Sequence, residues 1–176
     1  VESRFGRSVN LERDFYAHAT LEGFILTTAG RAALYRFTET FGNPNAPYRA
    51  WTLTGPFGSG KSSFALFLAQ VFSYEHAPDV RAARELLKQT DKTLWRNLFD
   101  KRGKNSIGKN GYLPILISSS RESLPLALLR GLKQTLNNFE EFTMPLYLLQ
   151  IEEILRAGDE NVGSRQVVDL FVEVSK

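Results

Sequence analysis

The stretch Gly55-Pro56-Phe57-Gly58-Ser59-Gly60-Lys61-Ser62 decides how this sequence is interpreted. It fits the pattern G-x-x-x-x-G-K-[ST], in which glycines let the backbone curve around a phosphate and turn its N–H groups inward. Lys61 would reach the phosphates as a point charge, and the hydroxyl of Ser62 would ligate Mg²⁺. These eight residues therefore predict a phosphate-binding loop.

The flanks of the loop match the context that the motif requires. Arg49 to Thr54, with Trp51 and Leu53, predicts a short buried strand, and the apolar residues between Phe64 and Phe72 predict a helix packed into the protein. A helix that begins at the loop adds a favourable dipole for an anion. We expect ATP to be the ligand, with Lys61 in the catalytic role and Ser62 as the magnesium ligand. The predicted nucleotide contacts are Gly55, Pro56, Phe57, Gly58, Ser59, Gly60, Lys61, Ser62 and Ser63.

A second apolar run, Tyr112 to Ser118, predicts a central parallel strand. Because proline has no N–H to donate, the hydrogen-bonded part of this strand would begin only after Pro114. Strands that alternate with helices predict an α/β fold. The sequence thus predicts a three-layer P-loop NTPase core with parallel strands and a helical insertion, incomplete in this chain.

Helical spacing recurs along most of the chain. The predicted division is a lead-in and helix over 1–48, followed by a P-loop NTPase domain over 49–176 with a basic helical insertion at about 79–111. One predicted helix begins at Thr27 or Thr28 and runs to about Phe41. Further helices are predicted over 79–89, 92–101, 124–136, 142–156 and 166–175.

Composition excludes several classes of protein. The 176 residues include no cysteine and two histidines, so neither a disulfide framework nor a thiolate metal site is available. No apolar run approaches the roughly 18 residues that span a bilayer, and no signal peptide opens the sequence. We expect a cytoplasmic protein and no membrane partner. Because the chain begins with Val1 and stops inside a helical pattern, we also expect it to be a fragment.

Positive charge is concentrated in the middle of the chain. Residues 81–111 carry a net charge of +6, against 0 for 1–80 and −3 for 112–176. On a continuous helix the basic residues would form one stripe that attracts phosphate backbones. A solvated helix face is the competing interpretation. The stripe consists of Arg81, Arg84, Lys88, Lys92 and Arg96.

Hydrolysis requires a further acid at the end of an apolar strand, the Walker B residue, and the sequence shows none. The nearest strings end at Asp169 and Glu173, and both lie within a helical pattern. We therefore expect the acid to lie beyond Lys176, and the present chain to bind nucleotide without turning it over.

Ser118-Ser119-Ser120-Arg121 follows the second predicted strand and forms a second candidate site. Polar groups at the carboxyl ends of strands would face the γ-phosphate, with Arg121 as a charge stabiliser or Ser119 as a relay. Alternatively, the serines cap the helix that begins near Leu124. The sequence leaves both interpretations open.

The run from Trp51 to Ala69 resembles the P-loop region of large bacterial ATPases of the AAA+/STAND-like superfamily, including ATP-binding proteins of phage-defence loci. Arg7-Ser8-Val9-Asn10-Leu11-Glu12-Arg13-Asp14 resembles their N-terminal lead-in. The resemblance carries over Gly55, Gly58, Gly60, Lys61 and Ser62 only. It also implies an adenine-side contact around Arg4 and Arg7, assembly into a homo-oligomer or multi-protein complex, and a role in antiviral defence.

Three functions therefore compete. The first is the ATP-binding module of a larger AAA+/STAND-type ATPase that couples Mg-ATP binding and hydrolysis to conformational change, acting on nucleic acid. The second is a nucleotide or small-molecule kinase, in which the helical insertion would cover the acceptor. The third is a non-hydrolysing, nucleotide-dependent DNA-binding scaffold.

Overall fold

The computed structural model describes residues 8–40, 45–48, 50–100, 107, 111–118, 121–138 and 151. The chain divides into two compact units, Val1–Leu113 and Pro114–Lys176. The helices of the first unit are α1 (Leu11–Asp14), α2 (Thr28–Thr40), α3 (Lys61–Phe72), α4 (Val80–Thr90) and α5 (Lys92–Phe99), and the second unit contains α6 (Leu124–Asn138).

Helix α3 lies in the core of the first unit, as its nearly uniform apolar sequence predicts. Phe67 and Val71 are fully buried, and α3 packs against α1 and α4. Phe24 stacks on Phe67 with 5.0 Å between the ring centroids. Helix α2 also approaches closely, because a Cβ on Gly30 would lie 3.3 Å from Cε2 of Phe64. This core holds the first turn of α3, and therefore the end of the glycine-rich loop, in place.

Helices α4 and α5 confirm the predicted pair of helices and the break between them. Each is amphipathic, and Ala83, Leu87, Leu94 and Leu98 are buried in the same cluster as α3. Asp91 separates the two helices, and its side chain accepts a hydrogen bond from the Leu94 N–H, which caps α5. The carboxylate therefore starts a new helix where the previous one ends.

The predicted three-layer α/β core is wrong. Within the described residues there is no sheet, and neither 50–54 nor 112–118 is a strand. Trp51 and Leu53, expected to be buried, are 40% and 41% exposed. A strand exists only where a neighbour accepts and donates its backbone hydrogen bonds, and no such ladder joins these segments to other described residues. The described part of the chain is instead predominantly helical.

Among the described residues, an isolated β-bridge stands in place of the predicted second strand. Tyr112 pairs in parallel with Ser73, just after α3: the Tyr112 N–H donates to Phe72 O at 2.8 Å, and the Tyr74 N–H donates to Tyr112 O at 2.9 Å. Gly111 enters this contact with φ of +70°, and a Cβ there would lie 2.7 Å from the carbonyl carbon of Ser73. Only glycine fits at that position.

The second unit is built on α6, which confirms the helix predicted over 124–136. The Thr135 hydroxyl donates to Pro114 O at 2.6 Å, and a Cβ on Gly131 would lie 3.0 Å from Leu116 O. The extended segment 114–118 therefore runs close along α6. Arg130 and Glu122 form an ion pair at 2.7 Å on the same unit.

Several predictions fall on residues outside the described ranges. Most of the predicted helices 142–156 and 166–175 lie there, although Ile151 is helical and buried. The predicted domain boundary between 48 and 49 stays a prediction. In the ranges that the structure describes, no helix has the length and apolar character needed to cross a membrane.

Candidate phosphate-binding loop

The glycine-rich stretch forms an exposed loop between an extended segment and α3. Gly58 and Gly60 adopt left-handed backbone conformations, with φ of 77° and 79°, and a Cβ at either position would meet nothing within 4 Å. Gly60 is the last residue before α3. The glycines are therefore required by backbone geometry and leave an unobstructed surface above the loop.

The first turn of α3 leaves several N–H groups available to an anion. A helix has no internal partners for its first N–H groups, and Gly60 has no side chain to cap them. The first helical hydrogen bond runs from the Phe64 N–H to Gly60 O at 2.9 Å. In the described part of the chain, the N–H groups of Lys61, Ser62 and Ser63 donate to no protein acceptor. These donors lie at the positive end of the helix dipole.

Lys61 folds back over the loop. Its Nζ donates to Pro56 O at 2.7 Å and Gly55 O at 3.0 Å, and lies 3.4 Å from Oγ of Ser59. Ser59 itself is held by a weak bond from its N–H to Pro56 O at 3.4 Å. The structure thus brings the ammonium group together with the loop that the sequence assigned to phosphate. A bound phosphate would take the place of these carbonyls as the partner of Nζ.

The remaining loop residues are accessible. Ser62 is exposed and its hydroxyl makes no protein hydrogen bond within the described ranges, so it fits the role of a Mg²⁺ ligand. Ser63 is half-buried. Phe57 is fully exposed at the tip of the loop. Among the described residues, no group of three or more histidine, aspartate or glutamate side chains could hold a metal ion.

The second candidate site is only partly described. Ser119 and Ser120 lie outside the described residues, as do Arg4, Arg7, Asp169 and Glu173. Ser118 and the exposed Arg121 belong to the second unit. Helix α6 begins after Ser123, whose carbonyl accepts the Ala127 N–H at 3.0 Å. Ser123 thus holds the cap position, and Ser118, five residues earlier in the chain, does not.

The predicted basic stripe divides into free and engaged side chains. Arg81, Lys92 and Arg96 are exposed. Lys88 is also exposed, but its ammonium group forms an ion pair with Glu85 at 3.7 Å and lies 5.3 Å from the centroid of the Trp95 ring. Arg84 is different, as it donates to Ser73 O at 2.7 Å and Val71 O at 3.1 Å, and its guanidinium lies 4.6 Å from the centroid of Phe99.

Burial also lowers the pKa of Arg84, although Glu75 opposes this effect. Because this guanidinium caps the C-terminal end of α3 and stacks on an aromatic ring, it is a structural group. The stripe available to a partner therefore has four members, with Arg84 removed from the predicted set.

Sequence reasoning missed a groove formed by Arg31 and Tyr35 of α2 with Asp91 and Lys92 of the α4–α5 junction. The Tyr35 hydroxyl donates to Oδ2 of Asp91 at 3.0 Å, although the two residues are far apart in sequence. The sequence signal for this groove is the break between the helices predicted over 79–89 and 92–101, which by itself indicates only that one helix ends and another begins.

No protein-family model matches the chain, and no curated protein or solved structure is significantly similar to it.

Proposed function

We propose that residues 55–63 bind the phosphates of ATP with Mg²⁺, and that the chain is the nucleotide-binding part of an AAA+/STAND-type ATPase. The observation that carries the proposal is the coincidence of three features at one place. These are the G-x-x-x-x-G-K-[ST] sequence, the N–H groups of Lys61 to Ser63, which donate to no acceptor among the described residues, and the Lys61 ammonium lying over the loop.

Different groups of the loop would make different contacts with the nucleotide. The N–H groups of the first turn of α3 would hold phosphate oxygens, Lys61 would neutralise their charge, and Ser62 would ligate Mg²⁺. Gly58 and Gly60 permit the curvature, with φ of 77° and 79°. With Ser62 as its ligand from the protein, Mg²⁺ would draw negative charge away from the phosphates. In the full protein, hydrolysis would drive a conformational change.

The test is titration of the chain with a fluorescent ATP analogue in the presence of Mg²⁺, together with a phosphate-release assay. Lys61→Ala removes a charge-assisted contact worth about 1.5–3 kcal/mol, so we expect binding to weaken about 10- to 100-fold. Lys88→Ala, which removes an equal charge from the exposed face of α4, should change binding less than about twofold. Circular dichroism of each variant verifies that the helices are intact.

Two results would refute the assignment. One is that the unsubstituted chain binds no nucleotide. The other is that Lys61→Ala and Lys88→Ala weaken binding equally, because the loss would then reflect overall charge and not the loop.

Nucleic-acid binding is a second candidate, favoured by the exposure of Arg81, Lys92 and Arg96 along α4 and α5. It predicts affinity for single-stranded DNA that falls steeply with salt and survives Lys61→Ala. Arg81→Gln combined with Arg96→Gln should lower that affinity at least about fivefold and flatten the salt dependence. An unchanged salt slope in this double variant would exclude the stripe.

A further inference from the structure

An open groove of about 580 Å³ lies between α2 and the α4–α5 junction, and none of residues 55–63 lines it. We call it the α2–α5 groove. Thr28, Arg31 and Tyr35 line it from α2, and Asp91, Lys92 and Thr93 line it from the junction. Its volume falls within the roughly 300–1,000 Å³ range of small-molecule sites.

The acidic side of the groove is fully committed to the fold. The side chain of Asp91 is only 10% exposed. Its Oδ1 accepts the Leu94 N–H at 2.9 Å, and its Oδ2 accepts the Tyr35 hydroxyl at 3.0 Å. Burial, and next the hydrogen bond to Asp91, raise the pKa of Tyr35, so the hydroxyl keeps its proton and remains a donor to the carboxylate. Both carboxylate oxygens of Asp91 are therefore held in place by hydrogen bonds within the fold.

Among the described residues, the basic side of the groove is held only by one long ion pair, between Arg31 and Asp91. Arg31 Nε lies 3.9 Å from Oδ2 of Asp91, which is beyond hydrogen-bond distance, and the Arg31 side chain is 43% exposed. Lys92 is exposed, and in the described part of the chain neither cation makes a hydrogen bond. The hydroxyls of Thr28 and Thr93 are likewise without a bond among the described residues. With one carboxylate against two cations, the groove carries an excess positive charge.

This donor set has a defined chemical preference. A guanidinium and an ammonium on opposite sides of a groove, accompanied by two hydroxyls, suit an anion with several oxygens. Ala32 and the Tyr35 ring supply an apolar surface for the remainder of a ligand. We propose that the α2–α5 groove binds a small molecule through a phosphate or carboxylate group held between Arg31 and Lys92. This site is independent of the function proposed for the loop.

The test uses the Lys61→Ala chain, so that the glycine-rich loop does not contribute. Inorganic pyrophosphate and malonate are titrated separately, and binding is followed by calorimetry and by the NMR shift of the Thr93 amide. We expect at least one probe to bind and Arg31→Gln to weaken it at least about tenfold. The probe that binds more tightly identifies the ligand group as phosphate or carboxylate.

Two controls make the result specific. Lys92→Gln should weaken binding to a similar extent without disturbing α2, which keeps the test decisive if Arg31→Gln unfolds. Arg81→Gln removes an exposed charge from α4 outside the groove and should change binding less than about twofold. Equal weakening by Arg81→Gln, or no binding of either probe, would overturn the proposal. In the unsubstituted chain, pyrophosphate binding that is lost with Lys61→Ala alone but survives Arg31→Gln alone would overturn the proposal and support the loop as the binding site.

Discussion

Arg84→Met tests whether this residue of the predicted basic stripe stabilises the fold. The guanidinium makes two charge-assisted hydrogen bonds, to Ser73 O at 2.7 Å and Val71 O at 3.1 Å, and stacks on Phe99. Such bonds contribute about 1.5–3 kcal/mol each, and a cation–π contact about 0.5–2 kcal/mol. Burial of the charge, which lowers the pKa of Arg84, opposes these gains.

The expected net loss is about 2–4 kcal/mol, because Met keeps most of the packing while Ser73, only 1% exposed, loses a partner for its carbonyl. The assay is urea unfolding followed by circular dichroism. Arg81→Met, on the exposed face of the same helix, is the matched control and should stay within about 0.5 kcal/mol. The reasoning would be refuted by an Arg84→Met free energy of unfolding within about 0.5 kcal/mol of the unsubstituted chain.

Three further predictions concern the first unit. In urea unfolding, Gly111→Ala should lower the free energy of unfolding by at least about 2 kcal/mol, because the new Cβ meets the Ser73 backbone. Gly58→Ala, at a similar φ but with open space around the Cβ, should lower it by about 1 kcal/mol. Equal losses would contradict the clash at Gly111. Leu87→Ala, at a fully buried position, should cost about 2–5 kcal/mol in the same assay, and a loss below about 1 kcal/mol would place Leu87 outside the core. The hydrogen-bonded Tyr35 hydroxyl has a raised pKa, so its stabilisation should persist below the ordinary tyrosine pKa of about 10 and disappear as pH rises through the folded value. The unsubstituted chain should therefore have a larger free energy of unfolding than Tyr35→Phe below the pKa of the folded state, and this difference should disappear above it. A difference that does not change with pH would contradict the prediction.

The helices were predictable because the information that forms them is local. Helix α2 begins at Thr28, α4 and α5 are separated at Asp91, and α6 begins at Leu124, in agreement with the caps and apolar spacing of the sequence. A cap and an amphipathic face each depend on residues within one or two turns. The left-handed glycines of the loop belong to the same class, since the motif specifies them directly.

The strand predictions were wrong because a strand depends on residues elsewhere in the chain. Trp51 and Leu53 have the composition of a buried strand, but composition does not supply a neighbour for the backbone, and both side chains are substantially exposed. Among the described residues, Tyr112 forms an isolated bridge with Ser73 and belongs to no ladder. An apolar run of six or seven residues is therefore not enough to establish a sheet.

The candidate sites divide in the same way. The loop could be located from contiguous residues, whereas the groove required Tyr35 and Asp91 to meet across the fold at 3.0 Å. Arg84 was misassigned because helical periodicity predicts a face and says nothing about the end of another helix within reach. A long side chain can cross that distance and cap the carbonyls of α3.

The chain order of the packing in the first unit has a consequence for how the protein folds. Although α1 also packs on α3, α3 packs on α4 and α4 packs on α5, and these last two interfaces join elements that are consecutive in sequence. Closing such short loops costs little chain entropy, and proteins rich in local contacts fold fast. We expect residues 61–99 to acquire hydrogen-exchange protection first during refolding. The Gly111–Tyr112 segment must return to the end of α3 across a longer stretch of chain, and should be protected later.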